Sequence, residues 1–188
     1  MCVLKRSLVL VLVVILFAGC NSRERTPAKK SVEPGPSMSQ QASVKLMQQG
    51  VEFLNQKDIA KAVVSFEGAI QVEPNNLQPY MILAEIFMRM KSYPEAIAVL
   101  ERAVSVFPDN GYVYYMLSLA NQGNNMPLPA VLAARKSVEL FQAQTNEDGY
   151  KQAMLLMESL IKSEQQKQEA QNVQGGLPDP QTSTVNSF

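Results

Sequence analysis

From Ser43 to Ile161 apolar residues recur at threes and fours, and prolines or polar runs interrupt the recurrence at regular places. That spacing sets side chains on one face of a helix, because an α-helix turns once in 3.6 residues. A first helix is expected from Ser43 to about Gln56. Asp58 is placed to cap a second, which runs to Glu73. A third has Pro79 in its first turn and continues to about Met90. Ser92 and Glu95 read as a capping box for a fourth, with Pro94 in its first turn, running to Phe107. Gly111 opens a fifth, and Gly123 reads as its stop. Pro127 and Pro129 open a sixth that ends near Phe141. Thr145 and Asp148 are placed to cap a last helix. Its stripe of Tyr150, Ala153, Met154, Met157, Leu160 and Ile161 gives way to polar residues before Gly175 and Gly176.

The pattern also repeats. Residues 43–76 laid over 77–110 bring Leu46 onto Tyr80, Phe53 onto Phe87, Ala62 onto Ala96, Phe66 onto Leu100, Ala69 onto Ala103 and Pro74 onto Pro108. The offset is 34 residues each time. A fixed period of that size means stacked supersecondary units. Residues 111–142 continue it weakly, with Tyr114, Leu117, Ser118, Ala130 and Ala134 in place. Asn121 stands where an aromatic is expected, Ser137 where Ala is, and Gln142 where Pro is.

The pattern resembles the tetratricopeptide repeat. Of its landmarks, repeat one supplies Leu46, Gly50, Phe53, Ala62, Phe66, Ala69 and Pro74. Repeat two supplies Tyr80, Leu83, Ala84, Phe87, Ala96, Leu100, Ala103 and Pro108; Gln49 alone departs. Small residues stand where the two helices of a unit cross closely, and the prolines stop the second helix. The resemblance implies an all-α, helical-hairpin solenoid. It would have repeats at 43–76, 77–110 and 111–142 and a capping helix at 146–172, making one domain over 43–172. A disordered tail is expected at 173–188.

Composition narrows the function classes. The chain has 188 residues, with Lys+Arg and Asp+Glu both 17. The first 19 residues hold Lys5 and Arg6 and no acid, so without them two of the 17 cations are gone and 15 remain. That balance offers no electrostatic footprint for nucleic acid. There is no His, which removes the commonest general base and metal ligand. No phosphate-cradling Gly loop, paired Cys or nucleophile motif is present. Glu52, Glu67 and Glu85 are single acids on helices. Met81, Met88, Met90, Met116 and Met154 fall in helical patterns, where methionine packs. No enzyme activity, metal, cofactor or small-molecule substrate is expected.

Residues 1–19 read as a secretory leader, with Lys5 and Arg6, an apolar run from Leu8 to Phe17, and small Ala18 and Gly19 before Cys20. The apolar run is shorter than the ~20 residues of a spanning helix. Leu16 to Cys20 resembles a bacterial lipobox, with Phe17 where Leu is usual. The resemblance implies lipidation of Cys20 by diacylglyceryl and N-acyl chains. Asn21 after the cysteine implies, by the same analogy, an outer-membrane address facing the periplasm. Residues 20–42, rich in Pro and Ser, are expected to form a flexible tether of roughly 25 Å.

In tetratricopeptide domains the first helix of each unit lines a concave groove. Carried over, the lining is Val44, Met47, Val51, Leu54 and Asn55 in repeat one. It is Gln78, Met81, Glu85, Met88 and Arg89 in repeat two, and Tyr112, Tyr115, Leu119, Gln122 and Gly123 in repeat three. This lining is apolar for a surface and suits a peptide. The family's Lys and Asn clamp for a terminal carboxylate is absent, since Met47, Val51 and Ile82 stand at the corresponding positions. The expected function is a membrane-anchored adaptor that holds a protein partner of the cell envelope, as pilus or secretion assembly factors do. The alternatives are a docking factor for cell-wall enzymes and a homo-oligomeric structural lipoprotein. The last helix or the tether filling the groove is a further possibility.

Overall fold

The computed structural model describes residues 37–175, with side chains to 171. The chain divides into two units, 1–35 and 36–188, and the described residues lie in the second. Residues 1–36, which hold the expected leader, Cys20 and most of the expected tether, and residues 176–188 of the expected tail lie outside the described residues, while 173–175 belong to the last helix. Among those described there are seven helices: α1 Met38–Asn55, α2 Ile59–Val72, α3 Leu77–Arg89, α4 Tyr93–Val106, α5 Gly111–Gly123, α6 Pro127–Ala143 and α7 Glu147–Gly175. None is long and apolar enough to cross a membrane.

The helices pair as α1 with α2, α3 with α4 and α5 with α6, each pair packing on the next. The result is an all-α helical-hairpin solenoid. Its main core is a continuous cluster running from Ala62 and Phe66 through Leu83 and Leu100 to Val113 and Ala120, and two smaller clusters join α6 to the last helix. Among the described residues no unit precedes helix α1 to cover it. Accordingly only Ser43 and Gly50 are buried on it, and Leu46, Met47, Phe53 and Leu54 are half-buried. The long α7 packs chiefly on α6, through Ala153 against Val138 and Phe141, and Leu160 against Ala130 and Ala134.

The turns inside each pair share one form. Lys57, Lys91 and Asn125, spaced by the repeat period, all have φ near +60°, and Thr145 repeats this between α6 and α7. At the first, Lys57 N–H donates to the Leu54 carbonyl at 3.0 Å and Asp58 N–H to that of Phe53 at 2.8 Å. This arrangement satisfies carbonyls that a helix end leaves open, and glycine suits its left-handed residue best. Lys57→Gly and Lys91→Gly are each expected to raise stability by about 0.5–1 kcal/mol. Removing a Cβ clash outweighs the entropy gained by the unfolded chain. Thermal unfolding of the single variants checks this, and a lowered midpoint contradicts it.

Several expected boundaries change. Helix α1 starts at Met38, five residues before Ser43. The Ser37 side chain accepts from Gln40 N–H at 3.2 Å, and Ser37 N–H donates to Gln40 Oε1 at 2.8 Å. Ser92 makes no side-chain cap bond, so the expected capping box is absent. Asn146, not Thr145, caps α7, accepting from Gly149 N–H at 2.9 Å. Gly123 remains inside α5, and the left-handed turn falls on Asn125. Its smallness serves packing instead, since a Cβ there would lie within 2.2 Å of the Tyr93 ring.

Asp58 does cap α2 as expected. Its Oδ1 accepts from Lys61 N–H at 3.1 Å, and its Oδ2 lies 2.8 Å from Lys61 Nζ. The Lys61 side chain, then its backbone N–H, hold the Asp58 carboxyl below the usual aspartate value. A depressed folded-state pKa contributes stability above the ordinary value that is lost as pH falls through the depressed one. Asp58→Asn is therefore expected to flatten the loss of stability on acidification below about pH 4. Urea midpoints measured against pH for both forms check it.

Candidate functional site

The α1 residues Val44, Met47, Val51 and Leu54 stand three, four and three apart, which makes one stripe. They face α3 across two adjoining hollows. The first, about 380 Å³, is lined by Val44, Met47, Gln48, Val51 and Glu52 from α1 and by Gln78 and Ile82 from α3. The second, about 400 Å³, is lined by Leu54, Ile59, Ile82, Glu85, Ile86, Arg89 and Met90. Ile82 belongs to both, so they form one trough along the α1–α3 seam.

Local bonds fix its walls. Asn76, the cap of α3, accepts from Gln78 N–H at 3.1 Å, and its amide donates to Met47 Sδ at 3.6 Å. The start of α3 is thereby tied to the centre of the α1 stripe. Arg89 donates to Glu85 Oε1 from Nη2 at 2.6 Å and from Nε at 3.1 Å. That guanidinium is therefore already matched. Glu52 accepts from Gln56 Nε2 at 2.8 Å. The trough is an apolar seam with one matched ion pair and one carboxylate on its border. Among the described residues no group of three or more His, Cys, Asp or Glu could hold a metal.

The strongest electrostatic arrangement lies elsewhere. Arg102 donates Nη1 to Glu67 Oε1 and Nη2 to Glu67 Oε2, both at 3.0 Å. Its guanidinium stands 5.8 Å over the Tyr80 ring. The Glu67 bonds raise the Arg102 pKa, and burial pushes the Tyr80 phenol up. A bidentate pair fixes geometry as well as charge, and here it fastens α4 to α2.

The expected lining is therefore divided. Val44, Met47, Val51, Leu54, Glu85 and Arg89 gather around Ile82. Met81 and Met88 lie outside both hollows, half-buried against the main core. Tyr115 packs on that core and on the Val138, Phe141 and Ala153 cluster. Tyr112 stacks on Tyr115 at 6.1 Å and 16° and remains half exposed. Leu119 is half-buried on the core. Ile82, Gln48, Ile59 and Met90 line the trough and were not expected to. The signal for Ile82 was present, since Gln78, Ile82, Glu85 and Arg89 stand four, three and four apart on one face. The last helix packs on α6 and, to a lesser extent, α5.

Comparison with known proteins agrees with this architecture. The tetratricopeptide repeat family matches residues 53–120. A search of curated proteins found no match. Among solved structures, the N-terminal domain of stress-induced protein-1 from C. elegans is 23% identical. It superposes with a TM-score of 0.56 over 64% of this chain and 98% of that one. The TPR2B domain of yeast Sti1, in complex with pHsp70, is 19% identical, with a TM-score of 0.58 over 68% of this chain and 99% of that one. The Arabidopsis OM64 TPR domain is 21% identical, with a TM-score of 0.54 over 66% and 98%. At these identities the likeness is one of fold. Residues 53–120 match the tetratricopeptide repeat family, and the described helices form a solenoid of that repeat's type.

Proposed function

We propose that this chain is a non-enzymatic adaptor that holds a protein or peptide partner in the α1–α3 trough. The observation that carries the reading is the pair of apolar hollows meeting at Ile82. An apolar seam with preformed hollows favours a partner's large side chains over solvent. A related arrangement supports the class of function, since the yeast Sti1 domain was solved with pHsp70. The carboxylate clamp of chaperone-binding members is replaced here by Met47, Val51 and Ile82, so the proposed partner binds by apolar contact. The leader and lipobox pattern around Cys20 supports a lipid-anchored adaptor on the periplasmic side of the outer membrane. There it would assist assembly of an envelope complex.

The test is a mild-detergent pull-down of the full chain from its own cells, run beside Ile82→Glu, with circular dichroism confirming that the variant folds. The expected result is one envelope protein lost with Ile82→Glu, whose binding to the purified chain then weakens by at least about tenfold. Equal recovery with both forms would sink the trough as the site.

A further inference from the structure

The geometry points to a second docking surface, on the opposite side of α5 from Tyr112, Tyr115 and Leu119, whose occupant is a second copy of this chain. Residues advance about 100° each around a helix, so Tyr114, Leu117 and Asn121 face away from those three. They floor a hollow of about 350 Å³ between α4 and α6, walled by Ile97 and Leu132 and bordered by Glu101 and Lys136.

The hollow has a sequence origin. Phe53 and Phe87 hold this position in the first two repeats, and Asn121 replaces them in the third. The shorter Asn121 turns back on its own helix and donates Nδ2 to the Leu117 carbonyl at 2.8 Å. The space an aromatic ring would fill stays open. The charges at its mouth have a counterpart one repeat earlier. Glu67, Tyr80 and Arg102 close over one another there, while Glu101, Tyr114 and Lys136, each 34 residues on, do not. Among the described residues Glu101 has no ion-pair partner. Lys136 reaches only Glu139, at 3.8 Å, which Arg135 also approaches.

Two of the lining residues, Met126 and Leu132, are 42% and 47% exposed, and Leu128, one turn before Leu132 on α6, projects at 69% exposure. The patch thus carries a hole and a knob, and a carboxylate and an ammonium, side by side. Such a patch is complementary to itself. A two-fold axis would set Leu128 of each copy in the hollow of the other and Glu101 opposite Lys136 twice. A partner bearing charge of one sign would leave one of the two unmatched. The surface is independent of the trough and leaves it open.

Sedimentation equilibrium of the full chain in mild detergent tests this. A concentration-dependent dimer is expected. Glu101→Lys and Lys136→Glu should each weaken it by about tenfold, because each sets two like-charge pairs across the axis. The double exchange should restore it, and Leu128→Asp should abolish it. Asn121→Phe, which fills the hollow from within, should abolish it while the thermal midpoint holds or rises. A monomer at every concentration overturns the proposal. So does a dimer indifferent to the charge exchange, or one broken by Ile82→Glu instead of Leu128→Asp.

Discussion

Replacing Gly50 with Ala is expected to cost about 1–3 kcal/mol, and changing Phe66 to Leu in the same chain is expected to return most of it. A Cβ at Gly50 would lie 2.7 Å from Phe66 Cζ and 2.9 Å from both Cε atoms. Phe66 is wholly buried and the ring has nowhere to go. The repeats show the remedy. The same two positions hold Ala84 and Leu100 in the second unit and Ser118 and Ala134 in the third. As one partner grows, the other shrinks. Gly50→Ala with Phe66→Leu therefore rebuilds the second unit's pair inside the first. Phe66→Ala alone, which leaves a cavity, should cost about 3–5 kcal/mol. Urea unfolding of the two singles and the double measures the coupling. If the double loses the sum of the singles, the two positions do not share one space.

The second large effect is counterintuitive. Gln142→Pro restores the residue that Pro74 and Pro108 supply in the other repeats, yet it is expected to destabilise the fold by about 3 kcal/mol. Helices α2 and α4 stop at Val72 and Val106, two residues before their prolines. Helix α6 has no proline there and runs on to Ala143. Gln142 thus lies in its last turn, and its carbonyl accepts from Thr145 N–H at 3.1 Å. The extension also brings Gln144 Nε2 to 2.6 Å from the Asp109 carbonyl. Proline would break the turn and displace the joint between α6 and α7. A thermal midpoint unchanged or raised in Gln142→Pro would show that the extension is incidental.

The same contrast explains what the sequence made legible. Six of the seven helices could be placed closely because Pro74, Pro108, Asp58 and the period itself mark their ends. Helix α1 was placed late because Met38 to Ala42 carries no apolar stripe, and the Ser37 to Gln40 cap was masked by the neighbouring prolines. Thr145 was misread because a hydroxyl suits a cap, whereas the fold uses this residue for the left-handed joint. In the trough, the α1 stripe follows from the resemblance to the repeat family, whose first helix lines the groove, and its three- and four-residue spacing agrees with one helix face. Ile82 shares a face with Gln78, Glu85 and Arg89 by its spacing, but it stands outside the positions that the family resemblance assigns to the groove. Met81 and Met88 are half-buried against the main core, to which Val113, Met116 and Ala120 of the third unit also belong, and no single helix's periodicity reports such packing between units.

The buried serines have a consequence for how the array comes apart. Ser43 Oγ donates to the Ala69 carbonyl at 3.4 Å, from the first helix of unit one to its second. In unit three Ser137 Oγ donates to the Gly111 carbonyl at 2.8 Å, the same two positions with donor and acceptor exchanged. Ser118 adds a bond to the Ala130 carbonyl at 2.8 Å. The middle unit has Leu77 and Ala103 at these places and no such bond. A stacked array ordinarily frays from its ends, where a unit has only one neighbour. Here the outer hairpins are riveted internally, and the central one depends on its flanks. Opening is then expected to begin where a seam between hairpins parts, with the hairpin rather than the single helix detaching as the unit.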